Sequence, residues 1–437
     1  MNRNPIKPRV GDGGGSTLIV VMMMTLVSTV AISSVLFSVR ARVQRVNKQV
    51  QLEQAFYLAE AGVERAAASV AAGNEYDATL TGSLASGSYV AVIDCTSHSG
   101  GAIDVEITST GTVGGVSRTV TVHGLRRVSW ARYALWYDQE ATSLVIAAGD
   151  SFKGRVYSKP LMRFSNSGLS TNGKAHFYDK VWTVPSYIQY DSGAYPILDY
   201  GIVTSAEVQS IASVDFADLK AQTQASSSGL VLNGNATIVL DGTTMKITNI
   251  PNGWTNRVVT IPENGIVYAK AYSYTKTTYD YRGRAYTTTV TEAGDITVSG
   301  PNGLNGQLTL VSENDINIVG HIRYASDPAT NPNSDDKLGL IAQDNVVVQT
   351  AAPNNLEVYA HILCKNGGFG VYNYNTGSSR GILKIYGGIA NLIRNAVGTT
   401  TPTGFLKNYI FDSRLARNPP PFYPKVVDEL EWDWWEG

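Results

Sequence analysis

The chain has 437 residues, of which 43% are hydrophobic and only 16% are charged, and its formal net charge is −1. A charge this close to zero gives no general attraction to nucleic acid or to an acidic surface. The two cysteines, Cys95 and Cys364, exclude a disulfide framework. They leave either one long-range bridge or two buried free thiols, and we favour free thiols. The abundance of glycine and tyrosine suits short strands joined by turns, and the length suggests roughly two to four domains.

Near the N-terminus, residues 17–39 form a run without a charged side chain. A run of this length spans the hydrocarbon core of a bilayer as a helix, and it is longer than the roughly 7–15 apolar residues of an ordinary secretory signal. We therefore predict a transmembrane helix over 17–39. Basic residues lie on both sides of the run, so charge counting does not settle its orientation. They are Arg3, Lys7 and Arg9 before it and Arg40, Arg42, Arg45 and Lys48 after it.

The helical pattern continues beyond the apolar run. Between Arg40 and Ala72 there is no proline, and apolar residues recur at the spacing of one helical stripe. Gly73-Asn74 supplies a stop, because glycine accepts the left-handed conformation that follows a helix end. A continuous helix from residue 16 to residue 72 would be roughly 85 Å long at about 1.5 Å per residue. The stripe consists of Val43, Val46, Val50, Phe56, Ala59, Val63, Ala66 and Val70.

A short basic leader, the triplet Gly13-Gly14-Gly15 and the apolar run follow one another in order, and the segment QAFYLAEAGVERA occupies 54–66. These residues resemble the N-terminal region of type IV pilins, and the 54–66 segment resembles the PilX-like family of minor pilins. The resemblance implies a helix that is half membrane-embedded and half the spine of a β domain. It also implies that a prepilin peptidase removes residues 1–15 by cutting between Gly15 and Ser16, that the new amine is methylated, and that the helix packs with other pilin-like subunits.

The sequence departs from this family at Val20. Major pilins carry a glutamate at that position, five residues into the mature chain, and the carboxylate pairs with the N-terminal amine of a neighbouring subunit during assembly. A carboxylate in lipid is costly, so its presence usually has a function. Its absence fits a minor, initiating or tip subunit and leaves incorporation along a fibre open. A plain anchor helix behind a glycine-rich linker is the alternative.

Residues 74–127 predict a small antiparallel module beside the second half of the helix 16–73. Ile103, Val105 and Ile107 alternate with acidic residues, so one face of this strand is buried and the other is wet. Gly114-Gly115 separates two β-prone runs and fits a tight hairpin turn. We expect three strands, and a sheet of this size needs the helix stripe to bury its apolar face.

Residues 128–424 predict a large all-β domain with one short helical segment over 205–224. Acidic or amide residues stand immediately before strands at Asp295, Asp315 and Asp344-Asn345, and such residues tolerate left-handed turns. Strands separated by such corners predict a coiled, parallel, β-helix-like stack, with a β-sandwich as the alternative. The fold class is therefore mainly β with one long N-terminal helix.

This region also resembles a poorly characterised domain that follows PilX-like N-termini in large bacterial surface proteins. The resemblance implies a surface or pilus-associated location and no particular chemistry. The matching segments are 154–158, 177–181, 314–316 and 404–421. The tail 425–437 mixes acidic residues with Trp432, Trp434 and Trp435, and it either binds a partner as a strand or folds back onto the β domain.

The chain contains no phosphate loop, nucleophile elbow or HExxH pattern, and no histidine has a second histidine or cysteine at metal-ligand spacing. If the strands stack in register, Asp295, Asp315 and Asp344 would line up, as the carboxylates of a polysaccharide-cleaving enzyme or a calcium site would. Their role at corners suffices to explain them. A group of tyrosines either stacks on sugars or forms an aromatic ladder, and we favour the ladder. The histidines are His98, His123, His176, His321 and His361, and the tyrosines are Tyr272, Tyr274, Tyr279, Tyr281 and Tyr286.

The sequence thus predicts a non-catalytic structural subunit, similar to a minor pilin or pseudopilin, of a type IV pilus or related secretion system. We expect no cofactor, no metal and no nucleic-acid partner. The helix 17–39 would hold the chain in the bacterial inner membrane, with the β domain outside the cytoplasm at the cell surface or fibre tip. The alternative is a membrane-anchored adhesion or carbohydrate-binding protein, and a polysaccharide-cleaving envelope enzyme ranks third.

Overall fold

The structure is a computed structural model, and it describes residues 14–84, 87–97, 103–140, 144–167, 173–211, 214–225, 228–401 and 403–437. Its described residues form one long N-terminal helix followed by β structure, with two further short α-helices and a 3-10 turn at Trp130–Arg132. The predicted fold class, mainly β with one long helix, is confirmed.

The N-terminal helix α1 runs without interruption from Gly14 to Ala71. It ends as predicted at Gly73, which has a φ of 97°. The Gly73 N–H donates to the Val70 carbonyl at 2.9 Å and the Asn74 N–H donates to the Ser69 carbonyl at 3.1 Å. These two bonds form a Schellman motif, which satisfies carbonyl groups that the helix end would leave unpaired.

The helix packs on an antiparallel sheet of four consecutive strands, one more than predicted. The additional strand is β1, a short edge segment in which Ala78 and Leu80 alternate with Thr79 and Thr81. The predicted hairpin at Gly114-Gly115 joins the last two strands, and both glycines have positive φ. The strands are β1 (Ala78–Leu84), β2 (Gly87–Ser97), β3 (Ile103–Val113) and β4 (Val116–Ser129). We call α1 from residue 51 onward, together with this sheet, the head.

A glycine allows α1 to approach the head sheet closely. A Cβ atom at Gly111 of β3 would lie 2.1 Å from the Ala55 carbonyl oxygen and 2.6 Å from the Ala59 nitrogen. Ala55 and Ala59 are fully buried in this contact. Small residues on both elements therefore set the distance between the helix and the sheet.

The large region contains short strands, which fall into two series along the chain. The first series is β5 (Leu135–Glu140), β6 (Ser151–Lys153), β7 (Val156–Ser158), β8 (Arg163–Phe164), β9 (His176–Phe177), β10 (Val181–Thr183), β11 (Gln189–Tyr190), β12 (Ile197–Leu198) and β13 (Ile202–Val203). The helix α2 (Phe216–Ala225) separates it from the second series. The helix α2 begins within the segment 205–224, where a short helix was expected.

The second series is longer and ends close to the C-terminus. It comprises β14 (Leu230–Asn233), β15 (Ala236–Asp241), β16 (Thr244–Asn249), β17 (Trp254–Thr260), β18 (Ile266–Lys270), β19 (Tyr272–Tyr279), β20 (Ala285–Glu292), β21 (Ile296–Leu304), β22 (Gln307–Ser312), β23 (Ile316–Tyr324), β24 (Lys337–Ala342), β25 (Val346–Val348), β26 (Glu357–Cys364), β27 (Phe369–Val371), β28 (Ser379–Arg394) and β29 (Gly404–Phe411). The short helix α3 (Arg414–Arg417) follows.

Most of these strands pair in parallel and form three columns, which together we call the stack. Column A runs β14-β18-β22-β24-β26-β28-β5-β7-β10-β13. Column B runs β15-β21-β23-β25-β27, and column C runs β26-β28-β29-β6-β9-β12. Long parallel ladders of short strands favour the predicted coiled stack over the sandwich, whose sheets would be antiparallel.

The order of strands within the stack differs from their order in the sequence. β5, the first strand of the region, lies inside column A between β7 and β28. β7, β10 and β13 follow β5 in the sequence and lie on one side of it in column A. After α2, the chain continues at β14, which forms the opposite end of the column. The later strands then add in order from β14 until β28 pairs with the free side of β5. The pairing of Ile389 with Leu135 closes the stack between residues that are distant in the sequence.

The interior of the stack is filled by aliphatic and aromatic side chains, including Phe152, Phe177, Ile316 and Leu340, which are all inaccessible to solvent. A second cluster covers the outer surface of column A. In it, Phe216 and Leu219 of α2 and residues near the C-terminus pack over Tyr268, Val311 and neighbouring side chains. Both cysteines are free thiols, Cys364 in the core and Cys95 half-buried in the head.

The segment predicted as a tail folds back onto the head sheet. It contains β30 (Lys425–Glu431) and β31 (Trp434–Glu436), and both pair antiparallel with β4. Arg126 of β4 binds Glu431 at 3.0 Å and Asp433 at 3.1 Å. The C-terminal strands thereby tie the head to the chain that leaves the stack.

Candidate functional site

The predicted cleavage point lies at the start of α1. Gly15 and Ser16 are both within the first turn of the helix, which begins at Gly14. Ser16 is exposed. Residues 1–13 of the predicted leader lie outside the described residues.

The apolar part of α1 has no protein neighbour that buries it. Among the described residues, this helix alone is long and apolar enough to cross a membrane, and none of its most apolar window is buried. Val20 is 52% exposed, and Leu26 and Phe37 are exposed still further. The exposure of apolar side chains continues through Val43 and Val46, beyond the first basic residues. This pattern is that of a helix surface made for lipid or for other helices.

The predicted acidic corners form a ladder of hydrogen bonds along the start of column B. The Asp295 carboxylate accepts from the Asp315 N–H at 3.2 Å, and the Asp315 carboxylate accepts from the Asn345 N–H at 2.8 Å. Asn235 extends the ladder below, since its side-chain oxygen accepts from the Asp295 N–H at 2.8 Å. At each corner, a side-chain oxygen therefore accepts a hydrogen bond from the backbone N–H of the next corner.

Asp344 does not belong to this ladder, and its predicted alignment with Asp295 and Asp315 is wrong by one residue. Asn345 occupies the corner instead, and its side-chain oxygen accepts from the Gly368 N–H at 3.0 Å. Asp344 accepts only a long contact of 3.5 Å from the Asn366 amide. Because Ile316 pairs with Val346 in register, the residue just before Val346 lies above Asp315.

The four histidines in the described residues are dispersed through the molecule and make contacts with other side chains or the backbone. His123 lies 2.7 Å from Glu106 and stacks on Trp434, and His176 lies 2.9 Å from Asp199. Burial lowers the pKa of His321, whose Nδ1 accepts from the Glu357 N–H. In the part of the chain that the structure describes, no three His, Cys, Asp or Glu side chains are grouped to hold a metal ion. His98 lies outside the described residues.

His361 is fully buried at the junction of the stack and the C-terminal segment. Its Nε2 lies 3.1 Å from the Tyr133 carbonyl oxygen, so this nitrogen carries the proton, and its Nδ1 accepts from the Tyr423 hydroxyl at 2.6 Å. Burial lowers the pKa of His361 to about 3, so the ring is neutral. The residue joins two chain segments and has no access to a substrate.

The predicted tyrosine group forms part of a protruding hairpin rather than of the stack. β19 and β20 pair only with each other among the described strands. Tyr272 and Tyr274 stack at 6.4 Å along the hairpin stem, which matches the favoured ladder. Tyr279, Tyr281 and Tyr286 stand at the tip, and Tyr281 is 87% exposed.

Sequence reasoning missed a second exposed aromatic surface, at the end of the stack. Tyr187, Tyr190, Tyr195 and Tyr200 lie on the terminal rung, which is formed by β11, β12 and β13. Tyr190 and Tyr195 contact each other with ring centroids 4.4 Å apart. The density of tyrosine between 178 and 200 was the available signal, but strands of two residues carry no periodicity to place it.

An open cleft of 420 Å³ separates the head from the stack. At its rim, Glu75 binds Lys425 at 2.7 Å and lies 3.9 Å from Arg127. Across the cleft, burial and the neighbouring Asp215 carboxylate raise the pKa of Asp218. The ion pairs join the chain that follows α1 to β4 and β30 on the head side of the cleft, and the acidic wall belongs to the stack side.

Comparison with known proteins gives little sequence relationship. No protein-family model matches the chain, and no curated protein matches it. One solved structure to which it is similar is the crystal structure of the competence-associated pilin ComZ from Thermus thermophilus. The two share 13% identical residues with a TM-score of 0.35, over 89% of this chain and 97% of that chain.

Proposed function

We propose that this chain is a non-catalytic, minor pilin-like structural subunit. The observation that carries the proposal is the division of α1. Its first half exposes a long apolar surface, and its second half buries Ala55, Ala59, Ala66 and Val70 against the head sheet. A helix built in this way anchors a folded domain in a membrane and offers its apolar half to neighbouring helices.

The proposed subunit matures by removal of its leader between Gly15 and Ser16. A prepilin peptidase would make this cut at the membrane surface, before the apolar segment, and leave Ser16 as the new N-terminus. The presence of a triple glycine immediately before the apolar run supports this position. The mature helix would hold the chain in the inner membrane, with the head and the stack outside the cytoplasm.

The test is the N-terminal residue and the mass of the mature protein purified from its native membranes. A chain that begins at Ser16, with a methylated amine, supports the proposal, and a Gly15→Val variant should then remain uncut while a Gly13→Ala variant is processed normally. A chain that still begins at Met1, or one cut after residue 39, contradicts it. That result would leave an anchored or secreted β-domain protein.

A tip or minor position follows from the bulk of the displayed region. The stack is much larger than the head, and it is joined to the head through β4 and the C-terminal strands β30 and β31. A body of this size beside every subunit would obstruct close stacking along a fibre. We therefore propose presentation at the cell surface or fibre tip.

The exposed hairpin favours a second candidate function, adhesion to a surface glycan or a partner. Tyr279, Tyr281 and Tyr286 display apolar rings with hydroxyl groups at a tip that nothing in the described chain covers, and such side chains commonly form binding surfaces. A glycan array probed with the full chain tests this candidate. Binding that is lost in Tyr279→Ser/Tyr281→Ser and retained in Tyr76→Ser, an exposed tyrosine of the head, would support it.

A further inference from the structure

A groove with an uncharged lining lies at the end of column B, beside its last strand β27. Its volume is 380 Å³, which lies within the range of sites that bind small molecules. None of the described residues that line it carries a charge. Besides aliphatic residues and a glycine, the lining contains two tyrosines and three asparagines, which are Tyr372, Tyr374, Asn373, Asn375 and Asn395.

The polar side chains of the groove are not occupied by the fold. Among the described residues, no protein group makes a hydrogen bond with the two tyrosine hydroxyls or with the three asparagine amides. Tyr372 is 54% exposed, and Tyr374 and Asn395 are half-buried. Amide and hydroxyl groups both donate and accept hydrogen bonds. The groove therefore offers donors and acceptors next to aromatic rings.

The turn 372–377, which carries four of these five side chains, is held by its backbone. Asn373 adopts the left-handed conformation with a φ of 53°, which asparagine tolerates better than most residues. Its carbonyl oxygen accepts from the Thr376 N–H at 3.1 Å and from the Thr376 hydroxyl at 3.0 Å. The backbone is thus fixed before a ligand arrives, which lowers the cost of ordering on binding.

A second depression of 220 Å³ adjoins the groove, and the two share Tyr374 and Ala396. Its charged lining residues are Lys407 and the buried Asp150, whose Nζ and Oδ2 atoms lie 2.6 Å apart. The two charges cancel, so the combined surface has no net charge. Asp150 is the one carboxylate among the described residues of both depressions, whereas hydrolysis of a glycosidic bond usually needs two. The arrangement therefore suits binding of a sugar chain rather than its cleavage.

We propose that the groove binds a neutral oligosaccharide. A sugar ring has apolar C–H faces, which pack on the aromatic rings of Tyr372 and Tyr374, and hydroxyls that exchange hydrogen bonds with the asparagine amides. A further sugar unit lies in the adjoining depression, which Thr399 and Thr400 line. An ionic ligand would lose its hydration without gaining an opposite charge. The site gives the stack a ligand, which goes beyond the proposed structural role, and it shares no residue with the exposed hairpin.

A peptide is the competing occupant of the groove. An extended peptide adds to an open strand edge, but the N–H of Val371 at the outer edge of β27 is already paired with the Ala396 carbonyl at 3.1 Å. A basic or acidic peptide would also need an opposite charge, which the described lining does not supply. These observations favour a sugar.

Saturation-transfer NMR of the full chain, in a detergent without a sugar headgroup, tests the groove. The probes are cellotriose, maltotriose and triacetylchitotriose, with trigalacturonate as the charged comparison. We expect at least one neutral trisaccharide to bind saturably and more tightly than trigalacturonate. Tyr372→Ala should weaken that binding about tenfold, which is typical of the loss of a central aromatic contact. Asn375→Ala should weaken it about fivefold through the loss of hydrogen bonds.

Matched substitutions elsewhere should leave the affinity unchanged. They are Tyr76→Ala in the head and Asn305→Ala in the stack, both at exposed positions. All variants should keep the melting temperature of the unsubstituted protein, so that a change in affinity reports on the groove.

Three results would overturn the inference. The first is the failure of every neutral trisaccharide to bind, or a preference for trigalacturonate. The second is equal affinity in the groove variants and their matched controls. The third is binding that is lost in Tyr279→Ser/Tyr281→Ser but kept in Tyr372→Ala, which would assign the sugar to the hairpin. None of these results bears on the N-terminus of the mature protein, so this inference and the proposed function can fail separately.

Discussion

Replacing Asp315 by alanine is expected to weaken the stack, because this carboxylate pairs the backbone of the next corner. It accepts from the Asn345 N–H at 2.8 Å and from the Asn345 amide nitrogen at 3.2 Å. Alanine leaves both donors without this partner at a half-buried position. A buried backbone donor that loses its acceptor costs about 1–3 kcal/mol. For the loss of both hydrogen bonds, we expect the free energy of unfolding to fall by about 2–3 kcal/mol.

Asp344 provides the matched control, since it lies next to the following corner, one residue before Asn345, and does not belong to the ladder. The only hydrogen bond of its carboxylate among the described residues is the 3.5 Å approach of the Asn366 amide, and its backbone N–H, which donates to the Asn314 carbonyl, is kept in the alanine variant. Asp344→Ala should therefore change the free energy of unfolding by less than about 0.5 kcal/mol. Asp315→Asn keeps an acceptor oxygen and should fall between the two alanine variants.

Urea unfolding of the full chain in detergent, followed by tryptophan fluorescence, measures these differences as shifts in the unfolding midpoint. The buried Trp130 and Trp136 report on the region where the stack closes. Equal midpoints for the Asp315→Ala and Asp344→Ala variants would refute the ladder as a source of stability. Retained stability together with a lost activity toward a glycan would instead restore the catalytic interpretation of Asp315.

Three other outcomes are expected. His361→Gln should reduce the dependence of the free energy of unfolding on pH in acid. Burial lowers the pKa of His361 to about 3, so as the pH falls the histidine of the unfolded chain is protonated before that of the folded chain. The free energy of unfolding of the unsubstituted protein should therefore fall between about pH 6.5 and pH 3, by up to about 1.4 kcal/mol per pH unit. Parallel pH profiles of the urea midpoint for both proteins would contradict this. Gly111→Ala should cost about 1–3 kcal/mol by pushing α1 off the sheet, because its Cβ would lie 2.1 Å from the Ala55 carbonyl oxygen; an unchanged melting temperature would contradict this. Gln209→Leu should strand the buried donors of Tyr133 and Trp136, cost about 2–4 kcal/mol, and speed proteolysis at the junction of head and stack; unchanged cleavage would contradict that role.

The features that the sequence predicted well are those with local causes. The length of α1 follows from an uncharged run and a continuous helical stripe, and its end follows from Gly73, whose backbone adopts the left-handed conformation. The corners at Asp295 and Asp315 were recognisable because each stands directly before an apolar strand. The sequence did not show that Asn345 rather than Asp344 occupies the next corner. The two adjacent residues have similar turn preferences, so only the register with the neighbouring strand decides between them.

The features that were not predicted depend on pairing between distant segments. The C-terminal strands β30 and β31 join β4 through ion pairs such as that of Arg126 with Glu431, residues about 300 positions apart. Nothing in either segment alone specifies the other as its partner. The order of strands in column A could not be predicted for the same reason, since short apolar strands of similar composition can pair with many other strands equally well.

The position of β5 inside the stack has a consequence for how the protein is made. When β5 has been synthesised, one of its edges can pair with β7, where Val156 is 21 residues beyond Leu135, but the other edge waits for β28, where Ile389 is 254 residues beyond Leu135. During synthesis, one strand edge is therefore unprotected until almost the whole chain has been made, and such edges recruit foreign strands. Completion of the stack is tied to completion of the chain, and a chain that stops before residue 389 would keep an open strand edge.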